Sequence, residues 1–185
     1  MTTITPLAIP EVLLITPKRH GDARGWFAET WSRRAFEAAG LNHDFVQDNQ
    51  AFSARRGTVR GLHFQAAPNA QAKLVRVLKG AIYDVAVDIR QGSPSYGRWV
   101  AAELTAERGE QLLVPRGFAH GYCTLLDDTE LFYKVDGPYA PQSEGGVLWN
   151  DPALGIDWPV GADEAVLSDK DKVLPVLADL APVAF

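Results

Sequence analysis

The chain has 185 residues, 46% of them hydrophobic and 22% charged, which suits one compact domain with a sizeable core over residues 1–185. A net charge of -5 argues against a general nucleic-acid binder, which needs a basic face to displace counterions, but leaves room for a small anionic ligand held by a local cluster. The one cysteine, Cys123, excludes an intrachain disulfide, and no apolar run approaches the ~20 residues of a membrane span, so a cytoplasmic protein without membrane or nucleic-acid partners is expected.

Glycine and proline fall between short apolar runs, the punctuation of an all-β chain. In chain order the expected strands are Val12–Ile15, Val46–Asn49, Thr58–Phe64, Leu74–Leu78, Ala81–Asp88, Arg98–Leu104, Gln111–Val114, His120–Thr124 and Glu130–Val135. One helix is expected over Arg33–Ala39, capped by Ser32 and ended by a left-handed Gly40. A second, Lys172–Leu180, is interrupted by Pro175. Lys79-Gly80 reads as a hairpin turn, with further turns at Gln91–Pro94 and Glu107–Glu110. About nine short strands and few helices predict a jelly-roll barrel or sandwich, whose mouth can hold inward-pointing polar residues.

The chemistry concentrates in Arg60-Gly61-Leu62-His63-Phe64-Gln65. Histidine is the side chain that ordinarily titrates near neutrality, and here it interrupts a strand-like apolar segment, with Arg60 and Lys73 close by in sequence. A base flanked by cations suits proton chemistry on an anionic substrate. Residues two apart share a strand face, so Leu62 and Phe64 form a packing face and His63 points the other way. Arg60 has the wrong parity to join His63 unless the strand bulges, and Gly61 is the place for it.

Other candidates are weaker alone. Tyr133 is ordinarily a packing residue, but placed across a cavity from His63 it becomes an acid facing a base. In the charged run Ser168–Lys172, Asp169 or Asp171 could orient His63, as carboxylates orient catalytic imidazoles. Pro115–Tyr122 is a turn leading into a strand. Arg24–Glu29 and Gln47–Asn49 offer polar groups suited to a base or sugar edge. The four histidines, His20, His43, His63 and His120, show neither His-x-His nor His-x-x-x-His spacing, so no metal site is expected.

Taken together, Arg24–Glu29, Gln47–Asn49, Arg60–Gln65, Gln71–Val77, Pro115–Gly121, Tyr133-Lys134 and Leu148–Pro152 resemble the dTDP-4-dehydrorhamnose 3,5-epimerase family. The resemblance runs from about Val12 to Lys172. It implies a cupin-like double-stranded β-helix, a homodimer, a nucleotide-diphosphate sugar substrate, and no cofactor. It also implies roles. His63 matches the general base and Asp171 its orienting partner; Tyr133 matches the acid on the opposite face; Lys73 matches the residue beside the C4 oxygen. Arg60 and His120 match substrate or diphosphate contacts. Arg24, Glu29, Gln47 and Asn49 match nucleotide contacts, and Glu144 and Lys170 are further binding positions. The chain departs from the family at Pro138, where a tyrosine that stacks on thymine is usual, and this leaves the nucleotide preference open. A single-centre epimerase or ketoisomerase on a related sugar nucleotide, and a non-catalytic sugar-nucleotide-binding cupin, stand as alternatives.

Overall fold

Residues 2–185 are described by the structure, a computed structural model. The strands are β1 (Thr3–Pro6), β2 (Leu13–Thr16), β3 (His20–Asp22), β4 (Gly25–Phe27), β5 (Gln47–Ser53), β6 (Val59–Gln65), β7 (Lys73–Lys79), β8 (Ala81–Asp88), β9 (Trp99–Thr105), β10 (Gln111–Val114), β11 (Phe118–Thr124), β12 (Thr129–Val135) and β13 (Glu144–Gly146). One α-helix, α1 (Arg33–Ala38), follows β4. A six-stranded sheet runs β1-β2-β10-β7-β12-β5 and a five-stranded sheet β13-β6-β11-β8-β9, while β3 and β4 pair only with each other.

The two large sheets close on an apolar core to which both contribute: Val75, Val77, Leu112 and Leu131 from one, Ile82, Ala86, Leu104 and Phe118 from the other. Fully burying such a side chain is worth roughly 1.5–3 kcal/mol, so these alternating positions hold the jelly roll together. The outer face of the six-stranded sheet is covered by α1 through Phe36, with Trp31 and Phe45 edge-on to its ring. The outer face of the five-stranded sheet is covered by the C-terminal segment, where Leu154, Leu177 and Phe185 pack against Leu62, Phe64 and Val87. Leu62 and Phe64 therefore serve as the expected packing face, leaving His63 to point into the barrel.

All nine expected strands are present, eight of them within two residues at each end, while β5 runs four residues past the expected end at Asn49. The helix starts where expected: the Ser32 hydroxyl accepts from the Ala35 amide at 3.2 Å, and Gly40 is left-handed at φ +79°. Four strands were not legible in the sequence, namely β1, β3, β4 and β13. The expected helix over Lys172–Leu180 is instead two single 3-10 turns, Asp171–Val173 and Leu177–Asp179, because Pro175 between them cannot supply a helical amide. The Lys79-Gly80 turn is real, with Gly80 at φ +82°, but it is not a hairpin: β7 and β8 belong to different sheets and the turn carries the chain across the barrel.

Candidate active site

The bulge expected at Gly61 is what builds the site. In the pairing of β6 with β11, His63 lies opposite His120 but Arg60 lies opposite Tyr122, so β6 spends one extra residue there. Gly61 takes φ +133°, and a Cβ on it would meet Gly121 Cα at 2.6 Å and the His120 carbonyl at 2.9 Å. Only glycine fits this close approach. The extra residue reverses the parity of Arg60, and both Arg60 and His63 line one cavity of about 420 Å³.

Lys73, His120, Tyr133, Lys170 and Asp171 line the same cavity. His63 comes from the five-stranded sheet; Lys73 on β7 and Tyr133 on β12 come from the facing one. A second chamber of about 120 Å³ adjoins it, lined by Gln47, Asn49, Tyr139 and Glu144 and sharing His63, Lys73 and Tyr133 with the first. The three groups that could carry chemistry thus stand where the two chambers meet, an arrangement suited to an elongated ligand.

Asp171 reaches His63 from far along the chain. A parallel bridge between Thr58 and Val166 fixes the returning C-terminal segment beside β6, with the Val59 amide donating to the Val166 carbonyl at 2.9 Å. The following 3-10 turn buries Asp171, whose Oδ1 lies 2.7 Å from His63 Nε2. Its Oδ2 accepts from the bulged Gly61 amide at a long 3.5 Å. Burial pushes the Asp171 carboxyl up, but the hydrogen bond and charge of His63, helped by the Gly61 amide and Ser168, outweigh it and hold it below the usual carboxylate range. An ionised Asp171 fixes the ring of His63 and leaves Nδ1 as the nitrogen for proton transfer.

A second pair lies beneath. His120 Nε2 sits 2.7 Å from Asp84 Oδ1, both side chains buried. Burial drives the His120 imidazole below its ordinary value despite Asp84, so it is neutral at pH 7. Burial also lowers Lys73 to about 8, with Asp84 and Glu144 pulling the other way. Its Nζ donates to the His63 carbonyl at 3.5 Å. The Tyr133 phenol is raised by burial, with Arg60 opposing, so it holds its proton at neutral pH. The cavity therefore offers a carboxylate-oriented imidazole, an ammonium poised to stabilise an oxyanion, and a protonated phenol across from the imidazole.

The sequence profile of the dTDP-4-dehydrorhamnose 3,5-epimerase family matches residues 6–179. This chain belongs to that family. It is 52% identical to the dTDP-4-dehydrorhamnose 3,5-epimerase of Sinorhizobium fredii, over 97% of this chain and 91% of that protein. Its fold is similar to the dTDP-6-deoxy-D-glucose-3,5-epimerase of Legionella pneumophila in complex with dTDP-4-keto-L-rhamnose, with a TM-score of 0.94 and 40% identity, covering 100% of this chain and 98% of that one. It is also similar to a 3'-monoepimerase from Streptomyces bikiniensis in complex with dTDP-quinovose, with a TM-score of 0.87 and 39% identity, covering 94% of this chain and 87% of that one. The cupin-like jelly roll expected of the epimerase family is the fold found.

In this epimerase-family chain, ten of the twelve expected site residues line the two joined chambers. The other two lie elsewhere on the single chain. Arg24 sits at the tip of the β3–β4 hairpin, exposed and paired with Asp22 at 2.6 Å. Glu29 lines a separate groove beside α1. Sequence reasoning missed Asp84 and read Tyr122 only as part of a turn and strand. The signal for Asp84 was a carboxylate in the middle of the apolar run Ala81–Val87. At Pro138 the loop is tied down rather than open: Gln65 Nε2 donates to the Pro138 carbonyl at 3.2 Å and Gln71 Nε2 to that of Gly137 at 2.7 Å. The next residue, Tyr139, sets its ring on the lip of the second chamber, 56% exposed, with its hydroxyl 3.2 Å from Glu144 Oε2.

Proposed function

We propose that this protein epimerises C3 and C5 of dTDP-4-dehydro-6-deoxy-D-glucose, yielding dTDP-4-dehydro-L-rhamnose. The observation that carries the reading is the meeting of His63, Lys73 and Tyr133 at the junction of the two chambers, with Asp171 behind His63. A ketone at C4 acidifies the C–H bonds on either side, because the carbanion delocalises onto the oxygen as an enolate. His63 Nδ1 removes the proton, Lys73 stabilises the C4 oxyanion, and Tyr133 returns a proton from the opposite face. Once His63 has released its proton to solvent and Tyr133 has regained one, the same steps at the other carbon invert the second centre.

In this reading the second chamber takes the nucleotide end, with Gln47 and Asn49 on the base and Glu144 beside it, while Lys170, paired with Glu144, and Arg60, toward the diphosphate, reach in from the larger chamber. His120, neutral and held by Asp84, contacts the substrate from below. Tyr139 provides the ring face that Pro138 lacks. The enzyme works as a homodimer, which is supported by the β3–β4 hairpin: Trp26 is 58% and Phe27 72% exposed beside Arg24. A second copy covering these rings would bring Arg24 and Glu29 toward its nucleotide. Sedimentation equilibrium giving a monomer at micromolar concentration would contradict this. No helix among the described residues is long and apolar enough to cross a membrane, and the lone, buried Cys123 accords with a cytoplasmic location.

The deciding experiment is NMR of the reaction in D₂O with dTDP-4-dehydro-6-deoxyglucose. Deuterium at both C3 and C5 is expected. Deuterium at one centre alone would replace this reading with the single-centre alternative, and none at either would remove the epimerase assignment.

A further inference from the structure

Two buried polar atoms near the cavity have no hydrogen-bond partner: the hydroxyl of Tyr122 and Oδ2 of Asp84. Buried polar groups are normally paired, and one left alone costs a folded protein free energy unless something else satisfies it. Tyr122 is 6% exposed, yet it lines the larger chamber. It sits on β11 two residues past His120, on the same face, with Arg60 as its cross-strand neighbour on β6 and Asp84 on β8. The Ser53 hydroxyl lies near enough to pull the phenol down, but the pair falls outside hydrogen-bonding geometry, and Arg60 Nε approaches that same hydroxyl at 3.4 Å.

We propose that the Tyr122 hydroxyl is a specificity group that donates a hydrogen bond to a hydroxyl oxygen of the substrate's sugar. This rests on the sugar-nucleotide reading above. Tyr122 lines the chamber that holds His120, Asp171 and the catalytic end of the site and is absent from the one that holds Gln47, Asn49 and Tyr139, which puts it away from the base, with the diphosphate near Arg60 as the competing acceptor. Burial pushes its phenol up to about 12, against the pull of Arg60, so it is a donor at any working pH. Phenylalanine would fill the same space among Ile82, Val100 and Leu131, so packing alone gives no reason for a hydroxyl here.

The test is calorimetric titration of wild type and Tyr122→Phe with dTDP and, separately, with the unreactive sugar nucleotide dTDP-glucose. The variant should bind dTDP as the wild type does and bind dTDP-glucose about 3–10-fold more weakly, the loss of one hydrogen bond. Its ligand-free thermal midpoint should not fall, since no bond within the protein is lost. An equal loss of affinity for both ligands would reassign the hydroxyl to the diphosphate and overturn the proposal. Equal affinities of the two proteins for dTDP-glucose, with or without a lowered midpoint, would overturn it as well. Turnover of the wild type in D₂O is scored separately, so a failure of the epimerase reading shows there and not in these titrations.

Discussion

Asp171 Oδ1 stands 2.7 Å from His63 Nε2, across 108 residues of sequence. Because the carboxylate holds one ring nitrogen, the other is presented to the cavity in a fixed orientation. A positioned base contributes about 10²–10⁴-fold. His63→Asn is therefore expected to lower kcat/KM by at least that range while leaving the thermal midpoint near wild type, as the side chain is partly exposed and outside the core. Asp171→Asn keeps the shape but has one acceptor oxygen for the two donors, His63 and the Gly61 amide, and no charge to hold the ring, so a loss of similar order is expected. Deuterium wash-in at C3 and C5 measures both; near wild-type exchange in His63→Asn would falsify its role.

In the proposed mechanism Lys73 should set the alkaline side of the pH profile. Burial lowers its ammonium to about 8, so the charge that stabilises the enolate oxygen is present below that pH and lost as pH rises through it. The kcat/KM profile of the free enzyme is expected to fall with a pKa near 8. Lys73→Met should cost about 10²–10³-fold at pH 7, the usual value of one oxyanion donor. Lys73→Arg, whose guanidinium keeps its proton, should retain a reduced rate without the limb near 8. A limb that stays near 8 in Lys73→Arg would assign it to another group.

Gly61 couples fold and site, so one methyl group should damage both. The φ of +133° disfavours any other residue, and a Cβ would press on the Gly121 backbone. Gly61→Ala is expected to lose about 1–3 kcal/mol of stability from the backbone conformation, seen as a lowered urea midpoint. It should also lose activity beyond what unfolding explains, because β11 must shift and it carries His120 opposite His63. Wild-type kcat with only a lower midpoint would show that the bulge holds the fold and not the site.

The sequence made some of this legible and hid the rest for physical reasons. Strand alternation exposed the packing face of Leu62 and Phe64, and the parity conflict between Arg60 and His63 pointed to a bulge at Gly61. The Lys79-Gly80 turn misled because a left-handed glycine serves a hairpin and a crossing between sheets equally well. The strands β3 and β4 are three residues each and lie against no core, so no apolar alternation marks them. Nothing local distinguishes Asp171 from Asp169 as the partner of His63. Family resemblance chose Asp171, and the bridge of Val166 to β6 gives the physical reason: the turn that follows buries Asp171 and leaves Asp169 to pair with Lys172 at the surface.

Tyr139 is where nucleotide binding should be most sensitive. Gln47 Oε1 accepts from its amide at 3.0 Å, and Glu144 accepts from its hydroxyl, so both the backbone and the ring tip are held by groups lining the second chamber. A base stacked on an aromatic ring gains roughly 1–3 kcal/mol. Tyr139→Ala is expected to weaken dTDP binding by one to two orders of magnitude, whereas Tyr139→Phe, which keeps the ring and loses only an exposed hydrogen bond, should stay within a few-fold of wild type. Titration calorimetry with dTDP separates the two. If Tyr139→Phe were as weak as Tyr139→Ala, the hydroxyl contact to Glu144 would matter more than the ring face. If neither changed, Pro138 would be left as the surface that meets the base.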